Sequence, residues 1–447
     1  MLQMENRNPN QLKPLDVAIV GGGLAGLTAA TILARAGKTV ALYEKAQHIG
    51  GRAITQAYGE FYFNLGAHAL YPIGTKILRQ LGIEFKAGQP KVNGKGVYQG
   101  KLYDLPGSPT SIISNRFLKF RGKLELVSFF TKLHKIDPET IANLSFKSWL
   151  ESTFREPEMR LLVAALMRVS SYANASEQQS ASIFVRQMQM TLKESVLYLD
   201  GGWQTLVDGL QQAALQAGAK IITATKVEAI EHNGAVQAVH LADGRRQPAT
   251  NVIIAATPTI SSQLVDNGKH EVLQAWAENA ILIKAASLDI GLRRLPQPHQ
   301  TFALGLDRPL YLSVHSDAAR LGPEGGAVIH LLKYLSHAEP DQPKATEQEL
   351  ENLLDLVQPG WRAEMVERRF LPNITVSHGL VTAAEGGLSG RPGPQVPGLD
   401  NLYVAGDWVG SEGILTDASL TSAVRAAQLI ISGQSSTVSQ VASSLSH

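Results

Sequence analysis

Short apolar runs separated by glycine-rich turns open the chain. "VAIV", residues 17–20, is uninterrupted, as in a strand buried on both faces of a parallel sheet. Glycines follow at once. Residues 24–36 then carry helical spacing, and Gly37 stops the helix. Residues 39–43 predict a second strand and complete one strand–helix–strand unit. From about Leu105 to Met190 the apolar positions recur at helical spacing. "LYLDGGWQTLVDGLQQAALQAGAKIITATKVEAIE" predicts turn, helix and strand, and "GAVQAVHLADG" and "NVIIAATP" predict further strands. Alternating runs follow in "ILIKAASLDIGL", "TFALGLD", "PLYLSVHS" and "GAVIHLLKYL", the pattern of an antiparallel sheet. Beyond the Pro/Gly-rich "GRPGPQVPG" come the strand "NLYVAGD" and the helix "DASLTSAVRAAQLI". This order predicts an α/β protein. A Rossmann-like cofactor domain would be assembled from residues 12–75, 196–270 and 365–435. A substrate-binding domain of antiparallel sheet plus helical cap would occupy 76–195 and 271–364.

The length of 447 residues is too long for one small core and fits two domains, or one large domain with insertions. A hydrophobic fraction of 44% and a charged fraction of 18% are ordinary for a soluble enzyme. A formal charge of +2 gives no reason to expect a nucleic-acid partner. The chain has no cysteine, which excludes disulfides, thiolate metal sites, a cysteine nucleophile and sulfur-linked cofactors; no metal site is expected. The polar opening "MLQMENRNPNQLKPLD" and the Ser-rich ending "GQSSTVSQVASSLSH" read as frayed tails. No stretch reaches the length of a membrane-spanning helix, and a cytoplasmic location is expected.

"GGGLAG" contains GxGxxG as Gly21, Gly23 and Gly26, with Leu24 and Ala25 inside it. The first glycine permits a tight turn, the second lets the backbone approach a pyrophosphate, and the third lets helix and strand pack closely. The helix N-terminus then faces the phosphates with free N–H groups. Glu44 ends the second strand 18 residues after Gly26, with Lys45 beside it. A carboxylate there accepts hydrogen bonds from ribose hydroxyls. The bland alternative is a tight turn with no ligand and an exposed Glu44. "IGGRA" adds Gly50, Gly51 and Arg52, a backbone able to approach a phosphate and a guanidinium able to clamp one. A surface turn with a solvated arginine is the alternative.

"DVAIVGGGLAGLTAATILARAGKTVALYEKAQHIGGRAIT" resembles the opening of the flavin amine oxidase, protoporphyrinogen oxidase and phytoene desaturase superfamily. "LDGGWQTLVDGL" resembles its mid-chain turn, and "NLYVAGDWVGSEGILTDASLTSAVRAA" its C-terminal flavin segment. The resemblance implies a glutathione-reductase-type fold and bound FAD. Gly21, Gly23, Gly26 and Arg52 would hold the pyrophosphate, Glu44 the ribose, and Val227 the adenine through its backbone. Gly406 and Asp407 would meet the ribityl chain or pyrophosphate. The helix beginning near Ile414 and Leu415 would aim its N-terminus at the flavin pyrimidine ring. Only one GxGxxG is present, so the second redox partner must come from solution, a quinone or a membrane.

On the substrate side, Lys284 is a lone charge in the apolar row Leu282, Lys284, Ala286, Leu288 and Ile290. The resemblance places it with a lysine that holds a water near the reactive flavin nitrogen; a snorkelling strand lysine is the alternative. His68 would pass beside the flavin ring as a proton shuttle, or serve only structurally. Tyr71, Tyr311, His315 and Leu415 are candidates for the substrate wall. Leu415 stands where amine oxidases carry an aromatic ring, which argues against an amine cage. "SNRFLKFRGKLELVSFFTKLHK", in residues 114–136, mixes phenylalanines with Arg and Lys. It predicts either contact with an anionic membrane or a cap with a solvated basic face. The expected function is hydride transfer between FAD and a hydrophobic, isoprenoid or polyene-like substrate. An amine or porphyrinogen oxidase is the first alternative and a non-catalytic prenyl-binding carrier the second.

Overall fold

The computed structural model describes residues 12–66, 69–91, 94–336 and 342–433. His68 and most of the two tails lie outside these residues.

Leu15–Val20 forms the first strand, Leu24–Arg35 the helix after it, and Val40–Tyr43 the next strand. The first strand pairs in parallel with Val40–Tyr43 on one side and Arg246–Ile254 on the other. Lys220–Ile222 and Leu402–Val404 extend this parallel sheet at its two ends. Alternation along the first strand sorts its two faces. Val17 and Ile19 join a core made with the helices Leu24–Arg35, Gln204–Gln216 and Leu415–Ser432. Ala18 and Val20 point into a second core with Val227, Val239 and Trp408. Arg246–Ile254 is longer than its parallel neighbours, and its first residues pair antiparallel with Val236–Leu241, which pairs in turn with Val227–His232. One strand therefore belongs to both the parallel sheet and a three-stranded meander.

The second sheet runs in the order Met365–Ser377, Ile283–Leu292, Ala327–Tyr334, Leu310–Val314, Phe302–Gly305, Lys95–Tyr98 and Lys101–Asp104. Its neighbours are antiparallel except Phe302–Gly305 with Lys95–Tyr98. The four alternating runs read from the sequence supply its centre. Met365–Ser377, expected in the cofactor domain, instead pairs along Ile283–Leu292. On strand pairing the division between the two parts falls after Ser377. This edge strand is half-exposed along most of its length and contains Pro372, which only an edge tolerates, so it carries little periodic signal.

One face of the second sheet is closed by the helix Pro343–Val357, whose Leu350, Leu353 and Leu354 meet Leu288, Ile290 and Ile329. The other face lies under a cap of helices Phe120–Lys132, Phe146–Thr153, Pro157–Ser171 and Ala181–Lys193. Phe129, Trp149, Phe154 and Phe184 form the centre of that cap, in one apolar body with Tyr311, Leu332 and Tyr334 of the sheet. Ile414 and Leu415 pack against the same body. The cap therefore reaches the start of the C-terminal helix.

Candidate active site

Two of the fingerprint glycines are demanded by the fold itself. Gly21 has φ +108°, and a Cβ there would sit 2.4 Å from the Ala255 carbonyl oxygen. A Cβ on Gly26 would sit 2.0 Å from the carbonyl oxygen of Gly21. Gly23 differs, because a Cβ there would meet nothing within 4 Å. It is the N-cap of Leu24–Arg35, and no side chain caps that helix. The first intrahelical bond runs from Leu27 N–H to Gly23 C=O, so the N–H groups of Leu24, Ala25 and Gly26 precede the ladder. Open space in front of an uncapped helix N-terminus suits an anion.

The Glu44 carboxylate accepts from Gly22 N–H at 2.7 Å and Ala46 N–H at 2.9 Å. That uses two of its roughly four acceptor positions. Lys45 is exposed beside it. Thr225 N–H donates to the Glu44 carbonyl at 2.9 Å, which brings the start of Val227–His232 to the same corner, with Val227 buried. Gly50 and Gly51 are both left-handed, and Gly50 N–H donates to Gly22 C=O at 2.8 Å. The "IGGR" turn is thereby fastened against the fingerprint loop.

Arg52 and Asp407, 355 residues apart, meet as an ion pair at 2.8 Å. The same Nη1 donates to Val376 C=O at 2.7 Å. Nε and Nη2 of Arg52 make no hydrogen bond among the described residues, and its side chain is 39% exposed. A guanidinium anchored at one nitrogen and open at two is arranged to receive a phosphate. Asp407 is buried, and its carboxylate also accepts His378 N–H at 3.1 Å. Burial alone would raise this carboxyl; Arg52 and His378 outweigh it and hold it far below the usual carboxylate range.

Arg391 completes this corner and was not among the residues predicted. Its Nη1 donates to Gly413 C=O at 2.9 Å, and its Nη2 to the carbonyls of Asp407 at 2.6 Å and Val409 at 3.2 Å. Burial lowers its pKa to about 10. It binds the turn that carries Gly406 and Asp407 to the C-terminal helix. Gly406 N–H donates to Ser422 Oγ at 3.0 Å, which ties that turn to the helix as well. Ile414 is the N-cap and contributes no side-chain cap, and Leu415 adopts φ 55°. A second uncapped helix N-terminus therefore faces the region between the two parts of the molecule.

Lys284 is half-buried and pairs with Thr375, next to the Val376 whose carbonyl receives Arg52. Register shifts against the edge strand fall on both sides of it, between Ile283 and Lys284 and between Ala285 and Ser287. Tyr71 is buried and donates to Ser170 C=O at 3.2 Å. Tyr311 is buried with its hydroxyl 3.2 Å from that of Tyr198 and 3.4 Å from His315 Nε2. Burial pushes the His315 pKa well below its ordinary value. Leu415 lies at the cap boundary described above.

The row that singled out Lys284 passed over a stronger feature on the opposite face of the same strand. Asp289 is fully buried, accepts from Nε and Nη2 of Arg369 at 3.0 and 2.8 Å, and meets His330 Nδ1. Burial would raise its carboxyl; His330 and Arg369 lower it below the usual range. The signal was present as an aspartate in "ASLDIGL" and a histidine in "AVIHLLKY".

This fold and corner define a dinucleotide-binding oxidoreductase with a second, largely antiparallel sheet. The chain belongs to the flavin containing amine oxidoreductase family, whose profile matches residues 24–300, more than half its length. It is 23% identical to a 4,4'-diapolycopen-4-al dehydrogenase of Metabacillus indicus, an alignment that covers 88% of this chain and 92% of that one. An oxidoreductase from Methanosarcina mazei has the same fold, with a TM-score of 0.74 at 18% identity over 92% of this chain and 99% of that one. Putrescine oxidase crystallised with putrescine gives 0.73 at 16% identity over 94% of this chain and 100% of its own. The protein is an FAD-dependent oxidoreductase. The open guanidinium, the space before Gly23 and the free acceptor positions of Glu44 all fit that cofactor.

Proposed function

We propose that this enzyme transfers a hydride between FAD and a hydrophobic substrate of isoprenoid or polyene type. The observation that carries this reading is the single apolar body from the cap helices to Ile414 and Leu415. An aliphatic residue at position 415, where the resemblance would place an aromatic ring, suits a hydrocarbon better than an amine. A relative named for acting on 4,4'-diapolycopen-4-al supports the same substrate class.

FAD, when bound, supplies the ring that accepts or delivers the hydride. The chain's own residues do the rest. The N–H groups behind Gly23, with Nε and Nη2 of Arg52, hold the pyrophosphate. Glu44 holds the ribose, and the backbone at Val227 holds the adenine. Asp407 orients Arg52 and meets the ribityl chain. The N-terminus of Leu415–Ser432 stabilises negative charge on the pyrimidine side. Lys284 would hold a water beside the bound flavin, and Tyr71, Tyr311 and Leu415 would shape the substrate wall. His315, whose pKa burial pushes well below its ordinary value, lies 3.4 Å from the Tyr311 hydroxyl in that wall.

The test is anaerobic titration of the purified holoenzyme, following flavin absorbance. Bleaching by a detergent-dispersed polyene or isoprenoid, and not by putrescine or benzylamine, is the expected result. Bleaching by an amine alone would replace this reading with the amine oxidase one. Mass spectrometry of released small molecules identifies FAD independently and captures a co-purified lipid.

A further inference from the structure

We infer that the helices Pro109–Ser114 and Phe120–Lys132 form a docking surface for a lipid bilayer with anionic headgroups. Phe120–Lys132 is apolar on two opposite faces. Gly122, Leu126 and Phe129 point inward and are buried in the cap. Phe120, Leu124 and Val127, spaced four and three residues apart, form one stripe on the outer face. Their exposures are 74%, 55% and 48%. Ile113, on the neighbouring short helix, is 78% exposed. Lys123 Nζ donates to the Ile113 carbonyl at 2.6 Å and fixes that helix beside the stripe. A cap helix that only covered a core would present polar residues at Phe120, Leu124 and Val127.

Charge decides which partner fits. Lys119 and Lys123 flank one side of the stripe, and Arg121 and Lys132 flank the other, with Arg116 and Lys135 near its ends. None of these six cations has an ion pair among the described residues. The one carboxylate in residues 114–136, Glu125, is turned to the backbone N–H groups of Arg155 and Glu156 at 2.9 and 3.2 Å. Six cations and one anion in this short segment contrast with +2 for the whole chain. Apolar side chains inserted between lysines and arginines that reach outward match the boundary between acyl chains and anionic headgroups. The face of a second copy of this chain would bring six cations against six and be repelled. Beneath the stripe, Leu126 and Phe129 belong to the apolar body that extends to Ile414 and Leu415. Docking here would set the cap against the membrane from which an apolar substrate comes. That purpose rests on the substrate reading above, whereas the docking does not, and its test uses no substrate.

The test is flotation of the full-chain holoenzyme with vesicles of phosphatidylcholine alone or mixed with equal phosphatidylglycerol. Flotation with the mixed vesicles at low salt, weakened by high salt, is expected. The triple variant Phe120→Ser, Leu124→Ser, Val127→Ser should lower the partition coefficient about a hundredfold or more. Lys119→Gln, Arg121→Gln, Lys132→Gln and Lys135→Gln together should do the same at low salt. All seven side chains are exposed, so flavin absorbance and melting temperature should not change. Holoenzyme that stays unbound with mixed vesicles at low salt, or a triple variant that floats like the parent, overturns the inference. So does a dimer that the triple variant dissociates with flotation unchanged, which would assign the face to a second copy.

Discussion

Asp417 lies in the first turn of the C-terminal helix, buried, with Oδ1 accepting Gly74 N–H at 2.8 Å. Burial raises its pKa to about 7 and Glu412 adds to the rise, against the Gly74 bond. The folded state then keeps a proton that the unfolded chain releases, starting from an ordinary value of 3.8. This contribution to stability is full below that value, declines as pH rises and is lost above about pH 7. Asp417→Asn keeps an acceptor for Gly74 and removes the charge. It should raise the melting temperature near pH 8 and leave it nearly unchanged near pH 4, a gap on the order of 3–4 kcal/mol between the two conditions. Equal shifts at both pH values would show that Asp417 does not titrate in this window. Lys284→Met should slow turnover or flavin reoxidation about tenfold or more with FAD content intact. Stopped-flow traces of both half-reactions unchanged from the parent would remove Lys284 from the reaction.

At the scale of elements, the fingerprint turn separates what the fold requires from what the ligand requires. Gly26→Ala would place a Cβ 2.0 Å from the Gly21 carbonyl oxygen, so it should cost several kcal/mol and yield little folded protein. Gly23→Ala meets nothing in the chain and has an ordinary φ of −78°. It should fold with a melting temperature close to the parent's as apoprotein, yet bind FAD about tenfold or more weakly, as measured by equilibrium titration of flavin fluorescence. The turn from Gly406 to Gly413 relies on Arg391 in a comparable way. Arg391→Met leaves three carbonyls without their donor, and the expected loss is about 3 kcal/mol or more, with FAD lost on gel filtration. Retention of FAD by that variant would show that the turn holds itself.

At the scale of the molecule, a buried polar network joins the second sheet to the hairpin that follows the "IGGR" turn. Arg369, on the edge strand of the second sheet, pairs with Asp289 and also donates to the Asn64 carbonyl and to Gln56 Oε1 of the hairpin formed by Thr55–Tyr58 and Phe61–Asn64. Asn64 Oδ1 in turn accepts from Thr55 Oγ1 and Trp203 N–H. The network spans the junction just before the segment that contains His68. Breaking a buried pair of this kind from one side costs about 3–5 kcal/mol. Arg369→Met should therefore lower the calorimetric melting temperature by several degrees, as the hairpin loses its tie to the second sheet. A melting temperature equal to the parent's would show that apolar contacts alone hold the hairpin against the sheet.

The strand–helix–strand unit, its three glycines, Glu44 and the "IGGR" turn were legible in the sequence because they are local. Their spacing is fixed by one turn and one helix, and few backbone geometries satisfy it. The central strands of the second sheet were legible for a similar reason, since alternation survives wherever one face is buried. The edge strand Met365–Ser377 was not, because half-exposed positions leave no period to read. Lys284 stood out as a charge in an apolar row, yet Asp289 two turns of the pleat away is the one fully enclosed, since Arg369 and His330 reach it from other strands. Tertiary structure alone decided that Arg52 meets Asp407, that Arg391 gathers three carbonyls, and that Phe120, Leu124 and Val127 face outward while Leu126 and Phe129 face in. A helix with apolar residues on both faces has no preferred side until its neighbours bury one of them. The sequence determined the dinucleotide-binding turn through local geometry and pointed to FAD through its resemblance to a family, and the packing of distant segments decided which side chains gather at that turn and which surface the molecule leaves apolar.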